Sequence, residues 1–298
     1  MNRRQFLAAT TAGIAVSKAA MSLAAIKPVR QPICAFTKPF NSLTFDQLAD
    51  RMAEIGFDGI EAPIRPGGHI EPEQVPDELP KLVEALAKRN LEVTVLTSNI
   101  NDPRNPLTET VLSPAAKLGI RRYRMQYFKY DLDKSIRQQI ENWKPQVRDL
   151  AAMNKELGIT GLYQNHAGRN YVGAALWDLP LLLDGIDNDQ VGVAYDIRHA
   201  TVEGGTSWPV TFQMVRPHIS TVYVKDFQWL ESARPKNVPL GEGRIDGPEF
   251  VKLLRRSKYD GPISLHEEYL DHKDPQLVPR HLAALKKDLA TLKKWLGK

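Results

Sequence analysis

Eight short, β-rich apolar runs, each leading into a longer amphipathic segment, constrain this chain more than any other feature. The runs cover residues 33–36, 59–62, 92–97, 123–127, 160–164, 191–196, 220–226 and 262–267. The segments after them predict helices over 44–55, 77–90, 107–118, 135–157, 175–183, 208–215, 248–256 and 276–296. Gly56, Asn90, Gly119 and Gly158 stand just before the next run, where a helix ends on a left-handed residue. Pro114 and Pro145 fall inside predicted helices and lack the N–H used there, so the bounds of those two are the loosest.

Strand and helix alternating eight times predict an α/β fold, a single closed (β/α)8 barrel of parallel strands over residues 26–298. An open doubly wound sheet would place a glycine-rich phosphate turn after the first strand, and none is there. Gly241-Glu242-Gly243 follows the seventh strand and has no third glycine, so no nucleotide cofactor is expected.

The first 25 residues read as an address. Asn2-Arg3-Arg4-Gln5-Phe6-Leu7 is a twin-arginine export signature, followed by a weakly apolar stretch broken by Lys18 and too short to span a bilayer. Ser22-Leu23-Ala24 supplies small residues for cleavage. The expectation is a signal over 1–25 and a mature, periplasmic protein outside the membrane. Arg3, Arg4 and Lys18 also account for three of the five net positive charges, leaving +2 on the rest and no field for nucleic acid. Cys34, the lone cysteine, has no partner for an intrachain disulfide and reads as packing on the first strand.

In a barrel of this kind chemistry sits where strands end, and residues two apart share a face. The fifth strand puts Gln164 and His166 on one face, and the sixth ends at Asp196, followed by His199. The seventh pairs Tyr223 with Lys225, and the eighth pairs His266 with Glu268. Glu61 ends the second strand, and Arg124 lies on the fourth. Single residues also have scaffold readings: Lys225-Asp226 as an ion pair, His166 as a loop cap, Trp208 as a helix anchor. His218 and His281, at a strand start and in the last helix, receive no role.

Five phrases in this order resemble the xylose isomerase-like barrels, the sugar phosphate isomerase/epimerase family. They are Gly56-Phe57-Asp58-Gly59-Ile60-Glu61, Asp196-Ile197-Arg198-His199 and Val224-Lys225-Asp226, then the segments 239–246 and 259–264. The resemblance implies a divalent metal (Mn, Mg, Co or Zn) on a Glu, an Asp, a His and a Glu ending strands five to eight. Here those positions hold Gln164, Asp196, Tyr223 and one of His266, Glu267 or Glu268. The implied ligand set is therefore Gln164, Asp196, His266 and Glu268, with an amide and a phenol where a carboxylate and an imidazole are usual.

The chemistry implied is abstraction of a proton next to a sugar carbonyl. His166, Lys225, His266 and Glu268 are the candidate catalytic residues; Glu61, His69, Asn99, Arg124, His199 and Trp208 are the candidates for binding substrate. Without metal, Lys225 and Arg124 are the cations that would polarise the carbonyl. Isomerisation or epimerisation of a small sugar is the leading reading, and elimination or hydrolysis of a 3-keto-glycoside uses the same first step. A non-catalytic sugar-binding barrel, with Trp208 and Trp229 as stacking platforms, is the reading from another class. The DNA-cutting branch of the family needs more zinc ligands than this chain carries. Barrels of this type often dimerise, so the resemblance also implies a homodimer.

Overall fold

The computed structural model describes residues 31–298, and the export signature lies outside the described residues. Seven strands come first: β1 (Ile33–Phe36), β2 (Gly59–Pro63), β3 (Glu92–Thr97), β4 (Arg122–Arg124), β5 (Thr160–Gln164), β6 (Val191–Asp196) and β7 (Ile219–Val224). A hairpin of β8 (Asp226–Trp229) and β9 (Pro235–Val238) follows, and β10 (Ile263–Leu265) is the eighth barrel strand. The barrel closes in the order β1-β10-β7-β6-β5-β4-β3-β2, every pair parallel.

Around it run α1 (Phe45–Ile55), α2 (Val75–Ala87), α3 (Pro106–Lys117), α4 (Ile136–Leu157), α5 (Leu179–Leu182), α6 (Ile197–Gly204), α7 (Trp208–Val215), α8 (Gly247–Arg256) and α9 (Val278–Trp295). Local chemistry sets their ends. Thr44 and Gln47 cap α1 reciprocally, and Gly56 closes it at φ 92°. Ser135 opens α4, and Gly158 closes it at φ 65°. Pro114 and Pro145 sit inside unbroken helices. Among the described residues no helix is long and apolar enough to cross a membrane.

The helices bury one stripe each, such as Leu48, Ala49 and Met52 of α1, against the outward residues of the strands. A separate cluster of Val95, Leu162, Ala194 and Tyr223 fills the barrel interior. Above that plug the inward positions turn polar, which places a site at the C-terminal mouth.

Four departures from the sequence reading have visible causes. β4 stops at Arg124 because the Gln126 N–H turns away to the Ile100 carbonyl. The fifth helix shrinks from 175–183 to one turn, since Leu176 takes φ 66°. α6 was not expected: the carboxylate of Asp196, still on its strand, accepts from the His199 N–H and starts a helix at once. The seventh strand breaks after Val224, and Asp226 begins the hairpin instead.

Asp226 explains the glycine-rich loop. Its carboxylate accepts the N–H groups of Gly241, Gly243, Arg244 and Ile245, as well as that of Phe227. A Cβ at Gly243 would lie 2.1 Å from Asp226 Oδ1, so the loop can wrap the carboxylate only with glycine there. Asp226 is thus spent on backbone, and the ion pair with Lys225 that adjacency suggested is replaced by other partners for the lysine.

Candidate active site

A cavity of about 170 Å³ opens at the barrel mouth, and Glu61, Arg124, Gln164, His166, Lys225, His266 and Glu268 line it. Glu61 comes from the middle of β2, and the others come from the end of a strand or just beyond. Above it lies a wider chamber of about 760 Å³, formed by loops after β1, β2, β3 and β10. Lys38 and Arg65 border both spaces.

Lys225 is the hub. Its ammonium donates to Glu268 Oε2 at 2.7 Å and lies 3.3 Å from Asp196 Oδ2. Burial works against its charge, but the two carboxylates outweigh that and hold the lysine protonated. The same charge overcomes burial at Glu268 and keeps that carboxyl well below its usual range. The Gln164 amide donates to Asp196 Oδ2 at 2.8 Å and accepts from the Tyr127 hydroxyl at 2.6 Å.

His266 is the second centre. Its Nε2 meets Glu61 Oε2 at 2.9 Å, and Glu61 also accepts from the hydroxyls of Ser264 and Thr97. Burial opposes both charges; the mutual attraction wins, so the Glu61 carboxyl falls to about 2 and the His266 imidazole is pushed above 6.5. The rings of Phe36 and Tyr223 lie 4.6 Å from the imidazole. His266 Nδ1 is buried without a hydrogen-bond partner, 3.7 Å from Glu268.

His166 behaves oppositely. Burial and then the charge of Lys225 pull it down to about 4, so it is neutral at neutral pH. Its Nδ1 faces the Ala167 carbonyl at 2.9 Å, which can only accept, so Nδ1 carries the proton and Nε2 keeps its lone pair.

Other expected residues lie elsewhere. His199 is buried behind His166, with ring centroids 4.0 Å apart, and does not line the cavity. His69 bonds the Leu43 carbonyl and packs on Phe45. Asn99 borders the wider chamber and a side groove and does not line the cavity. Trp208 is buried against Phe250 outside the barrel, and Trp229 sits half-exposed on the hairpin, so neither offers the cavity a stacking face. Glu267 points outward to His281. Phe36, Lys38, Arg65 and Tyr127 line the cavity and were not singled out from sequence; each lies at or just past a strand end, the one signal that could have marked them.

The implied metal ligands do not fit a divalent ion as they stand. Asp196 and Glu268 both contact the Lys225 ammonium, and Gln164 turns a donor N–H toward Asp196. Among the described residues no group of three or more His, Cys, Asp or Glu side chains is placed to hold a metal.

An eight-stranded parallel barrel with a polar, buried site at its C-terminal mouth defines the class. Within it, the chain belongs to the xylose isomerase-like TIM barrel family, matched over residues 49–294. No curated protein matches it in sequence. Among solved structures it is similar to 3-keto-D-glucoside 4-epimerase from E. coli, with 18% identity, 89% of this chain and 100% of that one covered, and a TM-score of 0.68. It is also similar to D-psicose 3-epimerase from Clostridium cellulolyticum H10, with 13% identity, 89% and 99% covered, TM-score 0.67. A third is the probable 3-DHS dehydratase of Bacillus anthracis, with 16% identity, 86% and 98% covered, TM-score 0.65.

Proposed function

We propose that this chain is a carbohydrate isomerase or epimerase that moves a proton next to a sugar carbonyl, with the Lys225 ammonium as the cation of the site. The observation that carries the reading is the pair of cavity histidines set on opposite kinds of partner, His166 Nδ1 on the Ala167 carbonyl and His266 Nε2 on the Glu61 carboxylate, which moves the first imidazole down and the second up. Environments that push two titratable groups apart assign a base and an acid. His166, neutral with Nε2 unprotonated, accepts the C–H proton. His266, backed by Glu61, which raises its affinity for a proton, donates one. Lys225, pinned by Asp196 and Glu268, stabilises the oxyanion that forms on the former carbonyl oxygen.

Return of a proton to the same carbon from the other wall gives an epimer; return to its neighbour gives an aldose–ketose pair. The family, and similar folds that carry out sugar epimerisation, support this class. The pairing of His266 with Glu61, which favours its protonated form, also supports a second outcome, protonation of a departing β-oxygen, which would make a 3-keto-glycoside a substrate for elimination.

The test is solvent exchange. Ketoses and 3-keto-glycosides incubated with the protein in D₂O should gain deuterium at the carbon next to the carbonyl, read by NMR. His166→Gln and His266→Gln should each reduce the rate at least a hundredfold. Binding of the sugars with no exchange in any of them would leave a binding protein instead. Export to the periplasm, carried by Arg3 and Arg4, remains part of the proposal.

A further inference from the structure

Two guanidiniums in the mouth take no part in this proton transfer. Arg124 is 4% exposed, its Nη1 is buried without a hydrogen-bond partner, and its guanidinium rests over the Tyr127 ring at 5.0 Å. Arg65 lines the same cavity, and the two positive charges repel one another. Neither guanidinium is in an ion pair among the described residues, whereas Lys38 and Lys225 both face Glu268. Glu61 and Glu268 favour the Arg124 charge without forming an ion pair with it, so Nη1 keeps an unfilled donor, and a guanidinium's planar donors match an oxyanion. The chamber above repeats the pattern: Lys38, Arg65 and Lys273 border it, and no Asp or Glu does. Such a lining raises the local concentration of anions.

We propose that Arg65 and Arg124 form an oxyanion subsite, and that the substrate is an acidic carbohydrate. Its carboxylate or phosphate is held by the two guanidiniums while its carbonyl end faces Lys225. A neutral sugar would leave Arg124 Nη1 no stronger partner than a hydroxyl. The inference rests on the proton-transfer reading for the carbonyl end; the anion subsite itself is tested by binding alone.

The experiment is calorimetric titration of the full chain with glucuronate, glucose 6-phosphate and glucose, repeated on Arg65→Gln, Arg124→Gln and Arg124→Lys. At least one acid should bind more than fivefold tighter than glucose, and which one does identifies carboxylate or phosphate as the group. That advantage should disappear in Arg65→Gln and Arg124→Gln and persist in part in Arg124→Lys. If Arg124→Gln does not melt cooperatively, Arg65→Gln and Arg124→Lys carry the test. A smaller advantage, no binding of any of the three, or a preference that survives in the glutamine variants would overturn the subsite. Acid-selective binding without deuterium exchange would remove the proton-transfer reading and leave the subsite standing; exchange on neutral ketoses without acid preference would do the reverse.

Discussion

Two buried carboxylate–histidine pairs stand back to back across β10, and they are built for different ends. Glu61–His266 faces the cavity, and Glu267–His281 faces the helical layer behind the barrel wall. In the rear pair every valence is used. Glu267 accepts the N–H groups of Tyr269 and Leu270 besides His281, and the far nitrogen of His281 reaches the Asp271 carbonyl at 3.2 Å. In the front pair His266 Nδ1 has no hydrogen-bond partner and lies 3.7 Å from Glu268. A saturated buried pair fixes a loop to a helix. An incompletely satisfied one leaves a ring nitrogen open to something that binds.

The largest effect expected from this contrast is on exchange. His266→Gln should slow deuterium incorporation by about a hundredfold or more, while His281→Gln should leave the rate of the folded protein within a few fold. Equal losses from both, measured on protein shown to be folded, would erase the distinction. Stability should rank the other way for the rear pair. His281→Ala leaves the Glu267 carboxylate buried and unpaired and should cost about 3–5 kcal/mol in urea unfolding.

The front pair also sets a pH dependence. Glu61 is held at about 2 against a usual 4.5, so its stabilisation is present above about 4.5 and fades as pH falls towards 2. His266 is raised above 6.5, so its contribution is complete below 6.5 and is lost as pH rises through its folded value. Thermal melts should therefore fall off on both sides, and Glu61→Gln should flatten both limbs. The exchange rate should follow a related bell, rising as His166 loses its proton near 4 and falling as His266 loses its own. An acid limb unchanged in His166→Gln would contradict the assignment of the base.

The smallest expected effect concerns scaffold alone. Gly243→Ala presses a methyl against the Asp226 carboxylate and should lower stability by about 1–3 kcal/mol without altering the pH profile of exchange.

The barrel itself was legible because apolar runs and amphipathic helices have different periods, and because Gly56 and Gly158 mark helix ends that the structure keeps. α6 was hidden, since Asp196 serves as both strand end and helix cap and no sequence period shows that double use. Alternation along strands placed Gln164, His166, Lys225, His266 and Glu268 around one cavity. It could not place Lys38 or Arg65, which reach the mouth from loops, where side-chain direction follows no period. Of the two readings of Trp208, the helix anchor fits and the binding role does not: it opens α7 and packs against Phe250 in the outer shell. The ligand set implied by resemblance assumed empty space between Asp196 and Glu268, and only coordinates show the Lys225 ammonium reaching both.

In the proposed mechanism a pinned lysine, Lys225, supplies the cation for proton transfer. Its most direct test is the deuterium-exchange rate of chelator-dialysed protein, with metal content measured on the same sample, beside Lys225→Met. Metal-stripped wild type should keep its full rate, and Lys225→Met, though folded, should lose it by at least a hundredfold. A rate that vanishes on dialysis and returns with Mn²⁺, or a Lys225→Met protein that exchanges as fast as wild type, would contradict this mechanism.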